Sequence, residues 1–142
     1  MGTIQAVCLS AGKGTAKPDA GQAELVANHG LKGDAHAGTG ERQVSLLSLR
    51  KIDEFRARGA TVKHGDFGEN IVVDGIDFVI LAIGTRLRCG EVLLEITKIG
   101  KECHNRCAIF HRMGDCIMPR EGVFAKVLHG GIIQTGDEIH VE

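Results

Sequence analysis

The stretch GKECHNRC, residues 100–107, sets two cysteines and a histidine within eight positions, with cationic side chains on both sides. Cys103, His104, Cys107, His111 and Cys116 together offer enough soft ligands for a tetrahedral zinc. Their spacing is C-x3-C, then three residues to His111 and four more to Cys116, which matches no common paired-knuckle pattern. The competing chemistry is a single activated thiol. Lys98, Lys101, His104 and Arg106 flank Cys103, and nearby cations lower a cysteine pKa. The thiolate so favoured is both a nucleophile and a soft metal ligand. A third reading is sulfur packed into a core, and it suits Cys8 and Cys89, which sit inside strand-like patterns.

Three other segments carry polar groups in arrangements with chemical meaning. In GLKGDAHAGTG, Gly30, Gly33, Gly38 and Gly40 let backbone N–H groups approach a bound group closely. Lys32, His36 and Arg42 add cationic or hydrogen-bonding partners around Asp34, a combination that suits an anion. A polar surface loop is the competing reading, and the absence of a following Gly-Lys-Ser/Thr excludes a P-loop. In GDFGEN, Asp66, Glu69 and Asn70 are good turn formers. A buried Glu69–Asn70 pair at a strand start also has the groups to hold a ligand oxygen or to orient Arg42. Arg120, in MPREGVF, lies at a loop-to-strand junction, where it either reaches an anion or stays solvated.

The elements that must position these groups are mostly strands. TIQAVCLS predicts a first strand, AGKGTAKPDAG a loop, and a short strand follows that ends near Val26. QVSLLS returns to strand character. Leu49, Ile52 and Phe55 then fall at helical spacing between Ser48, an N-cap, and Gly59, a stop. GDFGENIVVDG predicts a turn into a strand, and DFVILAIGTRLRCGEVLLEITKIG two or three strands joined at Gly84 and Gly90. HNRCAIFHRMGD predicts one or two helical turns, GVFAKVLHGG a strand into a turn, and GDEIHVE a closing strand. The fold class is therefore mostly β with minor α: a small, mostly antiparallel barrel with one amphipathic helix and short helical turns.

A chain of 142 residues with 43% hydrophobic and 25% charged residues fits one domain, 1–142, with a single core. Seventeen Lys and Arg against eighteen Asp and Glu give no bulk positive field for nucleic acid, so any anion site is local. The longest apolar run, FVILAI, is far below the roughly 20 residues of a membrane span. The opening MGTIQAVCLSAG lacks a cationic signal start, so a cytoplasmic location away from membranes is expected. Five cysteines in such a compartment are buried, metal-bound or catalytic before they are bridged.

The order GLKGDAHAG…RQVSLLS, GDFGENI, LRCGEVLLEIT, a cysteine past that strand, and REGVFAKVL…GGIIQTGDEI resembles the MOSC domain across nearly the whole chain. That domain is named for the C-terminal domain of molybdenum cofactor sulfurases. The resemblance implies a β-barrel related to that of pyruvate kinase. It also implies a key thiol after the LEIT-type strand, which by position is Cys103. In the family this cysteine is proposed to carry sulfur or to ligate the molybdenum of a molybdopterin-type cofactor. Lys32, Asp34, His36, Arg42, Glu69, Asn70 and Arg120 then become cofactor-binding candidates, and Cys103 the catalytic residue and molybdenum ligand.

Many members place a proline directly before the cysteine, whereas Glu102 stands here, and its negative charge opposes thiolate formation unless it points away. The family is associated with pyridoxal phosphate through full-length sulfurases, but 142 residues hold no pyridoxal phosphate domain. The implied partners are thus a sulfur donor such as a cysteine desulfurase, or molybdenum cofactor biosynthesis and acceptor proteins. If the chain is an enzyme, it is a sulfurase-like transferase or a component of a molybdenum-dependent oxidoreductase. The alternative from a different class is a non-catalytic zinc-binding or metal-carrier module built on the Cys/His cluster at 103–116.

Overall fold

The computed structural model describes residues 2–10, 19–34, 37–38, 40, 43–57, 69–99 and 122–142. The expected helical turns of HNRCAIFHRMGD lie outside them. Among the described residues ten strands form: β1 (Gly2–Val7), β2 (Gln22–Val26), β3 (Gly30–Leu31), β4 (Val44–Ser48), β5 (Ile71–Asp74), β6 (Arg86–Cys89), β7 (Val92–Ile99), β8 (Val123–His129), β9 (Gly131–Gln134) and β10 (Glu138–Val141). Among the described residues one helix, α1 (Leu49–Ala57), follows β4 directly, and one 3-10 turn spans Phe78–Ile80. Seven strands close a barrel in the order β1-β10-β6-β7-β8-β4-β5, with β5 returning to β1. The mostly β barrel read from the sequence is therefore the observed architecture.

Every pairing in the barrel is antiparallel except β4 with β5, where Leu46 meets Ile71 and Ser48 meets Val73. A parallel pair cannot be joined by a tight hairpin, and here α1 lies in the crossover. The register then decides which side chains go where. Leu46, Ile71 and Val73 join the barrel interior with Ile4, Leu87, Leu94, Ile96 and Val123. Because side chains alternate along a strand, Leu47 and Val72, paired with each other, face the other way and are still fully buried. The cover is α1, which packs on β4 and β5 and buries Ile52 completely.

A small second sheet, β3-β2-β9, packs Ala23, Leu25, Leu31 and Ile133 into the same core. The backbone crowds where it joins the barrel. A Cβ on Gly30 would stand 2.4 Å from the Gln43 carbonyl oxygen, and Gly30 also has φ +123°. Gly130 approaches the Leu25 carbonyl just as closely, with a would-be Cβ at 2.4 Å. These two glycines are closeness requirements, so GVFAKVLHGG does not end in a plain turn but runs on into β9. The other departure is FVILAI. It forms the 3-10 turn and an exposed loop, with Ile80 at 77% and Ile83 at 64% exposure, while Phe78 anchors it in the core.

Cys8 and Cys89 are buried apolar fillers, as their strand patterns imply. Burial, helped by the Asp137 carboxylate, pushes the Cys89 thiol from 9.0 up to about 11. Between those values the unfolded chain has lost a proton that the folded chain keeps. Stability from this thiol is thus whole below pH 9.0 and falls as pH rises through about 11. The chain has no tyrosine to titrate in the same window. Urea midpoints measured across that window should fall more steeply for the parent protein than for Cys89→Ala. In the same assay at neutral pH, Gly30→Ala should lose roughly 1–3 kcal/mol, because a side chain would meet both the Gln43 carbonyl and an unfavourable φ.

Candidate functional site

Among the described residues the buried polar side chains are Asp34, Gln43, Ser45, Ser48, Glu69 and Asn70. Burying such groups without partners is unfavourable, so their hydrogen bonds define what the region is built to hold. Asn70 sits just before β5. Its Oδ1 accepts from the Ser45 backbone N–H and from Ser45 Oγ, both at 3.0 Å, and its Nδ2 donates to the Cys8 carbonyl at 3.0 Å. The Asn70 backbone N–H in turn donates to Ser45 Oγ at 2.9 Å. One amide thus ties the end of β1, the middle of β4 and the start of β5 together, with Glu69 fully buried beside it.

Asp34 performs a similar service for the glycine-rich loop. Its Oδ1 accepts from the Ser10 backbone N–H at 3.0 Å, and the residue is only 6% exposed. Ser10 lies two residues past Cys8, so the loop after β3 and the turn before β5 are both fastened to the same outgoing end of β1. Around Asp34 the loop keeps its carboxylate inward and leaves bare backbone outward. Gly33 and Gly38 have φ of +87° and +153°, and open space lies where a side chain on either, or on Gly40, would project. Lys32 is exposed alongside. Among the sequence-derived candidates, His36, Arg42, Cys103 and Arg120 lie outside the described residues, as do His104, Cys107, His111 and Cys116.

The hydrogen-bonded row that starts at Cys8 and Asn70 continues across the barrel. Ser45 pairs with Phe124, and Phe124 with Lys98, from which β7 leads to Ile99. The ladder slips between Ile96 and Lys98, leaving Thr97 as an extra residue whose Oγ1 donates to the Phe124 carbonyl at 3.2 Å. Such a bulge bends a strand and re-aims its side chains. On this face an open cleft of about 450 Å³ is lined by Asn28, Gly40, Ile83, Glu95, Thr97 and Lys126 among others. Gln43 secures its wall: Nε2 donates to Asn28 Oδ1 at 3.1 Å and Oε1 accepts from the Val127 backbone N–H at 3.0 Å.

Of the cleft's lining residues, sequence pattern marks Gly40 as part of the glycine-rich loop and Gly84 as a joint between strands, and neither as part of a cleft. Asn28 had a signal, since an asparagine before His-Gly is a common left-handed position, and its φ is +54°. Lys126 had none beyond its place among the outward-facing positions of β8.

The family model for the MOSC domain matches residues 33–140. The chain belongs to the MOSC domain family. MOSC domains are related to the C-terminal domain of molybdenum cofactor sulfurases. Among solved structures, the YUAD protein from Bacillus subtilis is 19% identical, with a TM-score of 0.81 over 99% of this chain and 96% of that one. YiiM from Geobacillus stearothermophilus is 17% identical, with a TM-score of 0.76 over 100% of this chain and 75% of that one. YiiM from Escherichia coli is 18% identical at a TM-score of 0.67, over 99% and 69% respectively. At these identities the likeness is one of fold. No curated protein matches the chain. Among the described residues, no helix is long and apolar enough to cross a membrane.

The Asn70 clamp makes a definite prediction for this MOSC domain. Asn70→Ala removes the acceptor of the Ser45 hydroxyl and N–H and the donor to the Cys8 carbonyl in a buried setting, which should cost about 3 kcal/mol of stability. Urea denaturation followed by far-UV circular dichroism checks it, and a loss below 1 kcal/mol would show that the amide is not the fastening read here.

Proposed function

We propose that this MOSC domain binds a molybdenum cofactor or a related anionic pterin and uses Cys103 to ligate the metal or to carry sulfur. The match of the MOSC model across residues 33–140, a span that contains Cys103, is the observation that carries this reading. The described residues fit an anionic group in one tested respect. Asp34 and Glu69 are withdrawn into the protein, while the outer surface of the loop offers Lys32 and unclothed glycine backbone. Among the described residues of that loop, an anion arriving there meets the Lys32 charge and open glycine backbone.

In this reading Lys32, His36, Arg42 and Arg120 hold the anionic part of the ligand. Asp34, Glu69 and Asn70 keep the loop and the turn in register with the end of β1. When bound, the cofactor supplies a molybdenum centre for oxygen-atom or sulfur chemistry. The chain's own step is a thiol exchange. The Cys103 thiolate attacks the outer sulfur of a donor persulfide, a new S–S bond forms on Cys103, and the donor leaves as its thiolate. A protein of the cysteine desulfurase class is the donor that this chemistry requires.

The test is purification under anaerobic, molybdenum-replete conditions, with molybdenum and zinc measured by elemental analysis and pterin by fluorescence after oxidation. The parent protein and Cys107→Ser should retain pterin and molybdenum, and Cys103→Ser should lose at least tenfold of the metal. Thiol labelling across pH should give Cys103 a lower pKa than a free cysteine and leave Cys8 unlabelled until unfolding. Stoichiometric zinc that disappears in Cys107→Ser and Cys116→Ser would replace this reading with that of a metal-carrier module.

A further inference from the structure

The glycine-rich loop leaves the second sheet at Leu31 and returns to the barrel at Gln43, one residue before β4. Its two ends meet. A Cβ on Gly30 would stand 2.4 Å from the Gln43 carbonyl oxygen and 3.4 Å from the Gln43 Cα, so the neck closes main chain against main chain. Residues 32–42 between these ends fall in the length range of Ω-loops, roughly 6–16 residues, compact segments whose ends lie close together. Within the loop the Gly38 N–H donates to the His29 carbonyl at 2.7 Å, which folds it back onto the turn that carries Asn28 and His29.

One side chain ties this neck to the barrel. Backbone pairing of β4 with β8 starts at Val44, opposite Ala125, and so stops short of Val127. The Gln43 side chain takes over there, its Oε1 accepting from the Val127 N–H at 3.0 Å. Because that partner is a donor, the amide oxygen must face it, and the amide nitrogen is turned to Asn28, whose Oδ1 accepts at 3.1 Å. The Asn28 N–H in turn donates to the Val127 carbonyl at 2.8 Å. Gln43, Asn28 and Val127 therefore form a closed ring of three hydrogen bonds that joins the loop's end, the turn after β2 and β8. Gln43 is only 1% exposed; an apolar side chain could fill the same space but could not close the ring.

We propose that Gln43 is the positioning residue of the glycine-rich loop, closing its neck through Asn28 and Val127 and thereby setting how Lys32 and the glycine backbone meet the anionic ligand. The ligand in this statement rests on the preceding reading, and the closed neck rests on the contacts just described. Gln43, being buried, acts through the loop rather than on the ligand itself.

The experiment compares four variants of the full chain with the parent: Gln43→Met, Asn28→Gly, Asn28→Asp, and Gln43→Met combined with Asn28→Gly. Amide exchange at Gly38 is followed by nuclear magnetic resonance, and molybdenum and pterin are measured after anaerobic, molybdenum-replete purification. Gln43→Met neither donates nor accepts, and should speed exchange at Gly38 and lower retained pterin, each at least tenfold, while the β1 and β5 amides keep their parent chemical shifts. Asn28→Gly suits the positive φ but removes the acceptor, and should do both at least threefold. Asn28→Asp keeps an acceptor and should stay within twofold of the parent. The double variant should be no worse than Gln43→Met alone, because both changes break one ring. Should Gln43→Met fail to fold, the contrast between Asn28→Gly and Asn28→Asp decides. Unchanged exchange at Gly38 in Gln43→Met, full pterin retention in that variant, or Asn28→Asp as impaired as Asn28→Gly would each overturn the proposal while leaving the preceding reading standing. A parent protein without pterin or molybdenum would overturn that reading, and the positioning role with it, whether or not the neck opens.

Discussion

The Asn70 amide is the constraint on which the described architecture turns. The barrel's parallel pair, β4 with β5, adjoins the pairing of β5 with β1, a strand far away in the chain, and the three meet at one junction. Three side-chain hydrogen bonds from a single buried residue fix that junction. Hydrogen bonds in a water-free setting are directional and intolerant of loss, so a side chain of the wrong shape there disturbs three strands at once. Asp34 extends the same logic outward by attaching the glycine-rich loop to Ser10. At Asp34 the loop is thus held to the barrel by a polar contact.

Much of the fold was legible because alternation and glycine punctuation are local signals. β1, β4, β7, β8 and β10 follow from their apolar and β-branched patterns, and α1 from Leu49 and Ile52 at helical spacing. FVILAI is where a stretch read as two or three strands yields two: its six consecutive apolar residues suit a strand, but Phe78 enters the core with Leu81 packed against it while Ile80 and Ile83 face water. β3 is two residues long, too short for any periodicity, and β9 hides behind Gly130, whose requirement is closeness to Leu25 rather than a turn.

The candidate site was legible by residue type but not by partnership. Asp34, Glu69 and Asn70 stood out as polar groups in turn-like settings, and all three prove buried. Their partners lie far away in sequence: Ser10 is 24 residues from Asp34, Ser45 is 25 from Asn70, and Cys8 is 62 from Asn70. No local spacing encodes such distances. The cleft residues Thr97, Glu95 and Lys126 were invisible for a related reason, since their proximity arises from the pairing of β7 with β8 and from the slip at Thr97.

The seam between β1 and β10, where Gly2 faces Ile139 and Thr3 faces Glu138, joins strands from opposite extremes of the sequence. During synthesis β1 emerges long before β10, and that side of it stays unoccupied until β10 follows. Until then its unpaired amides and carbonyls are a template for any passing strand, the hazard that open sheet edges carry. Ring closure is thus a late event by construction, and the interval before it is when this protein is most exposed to misassembly with its own copies.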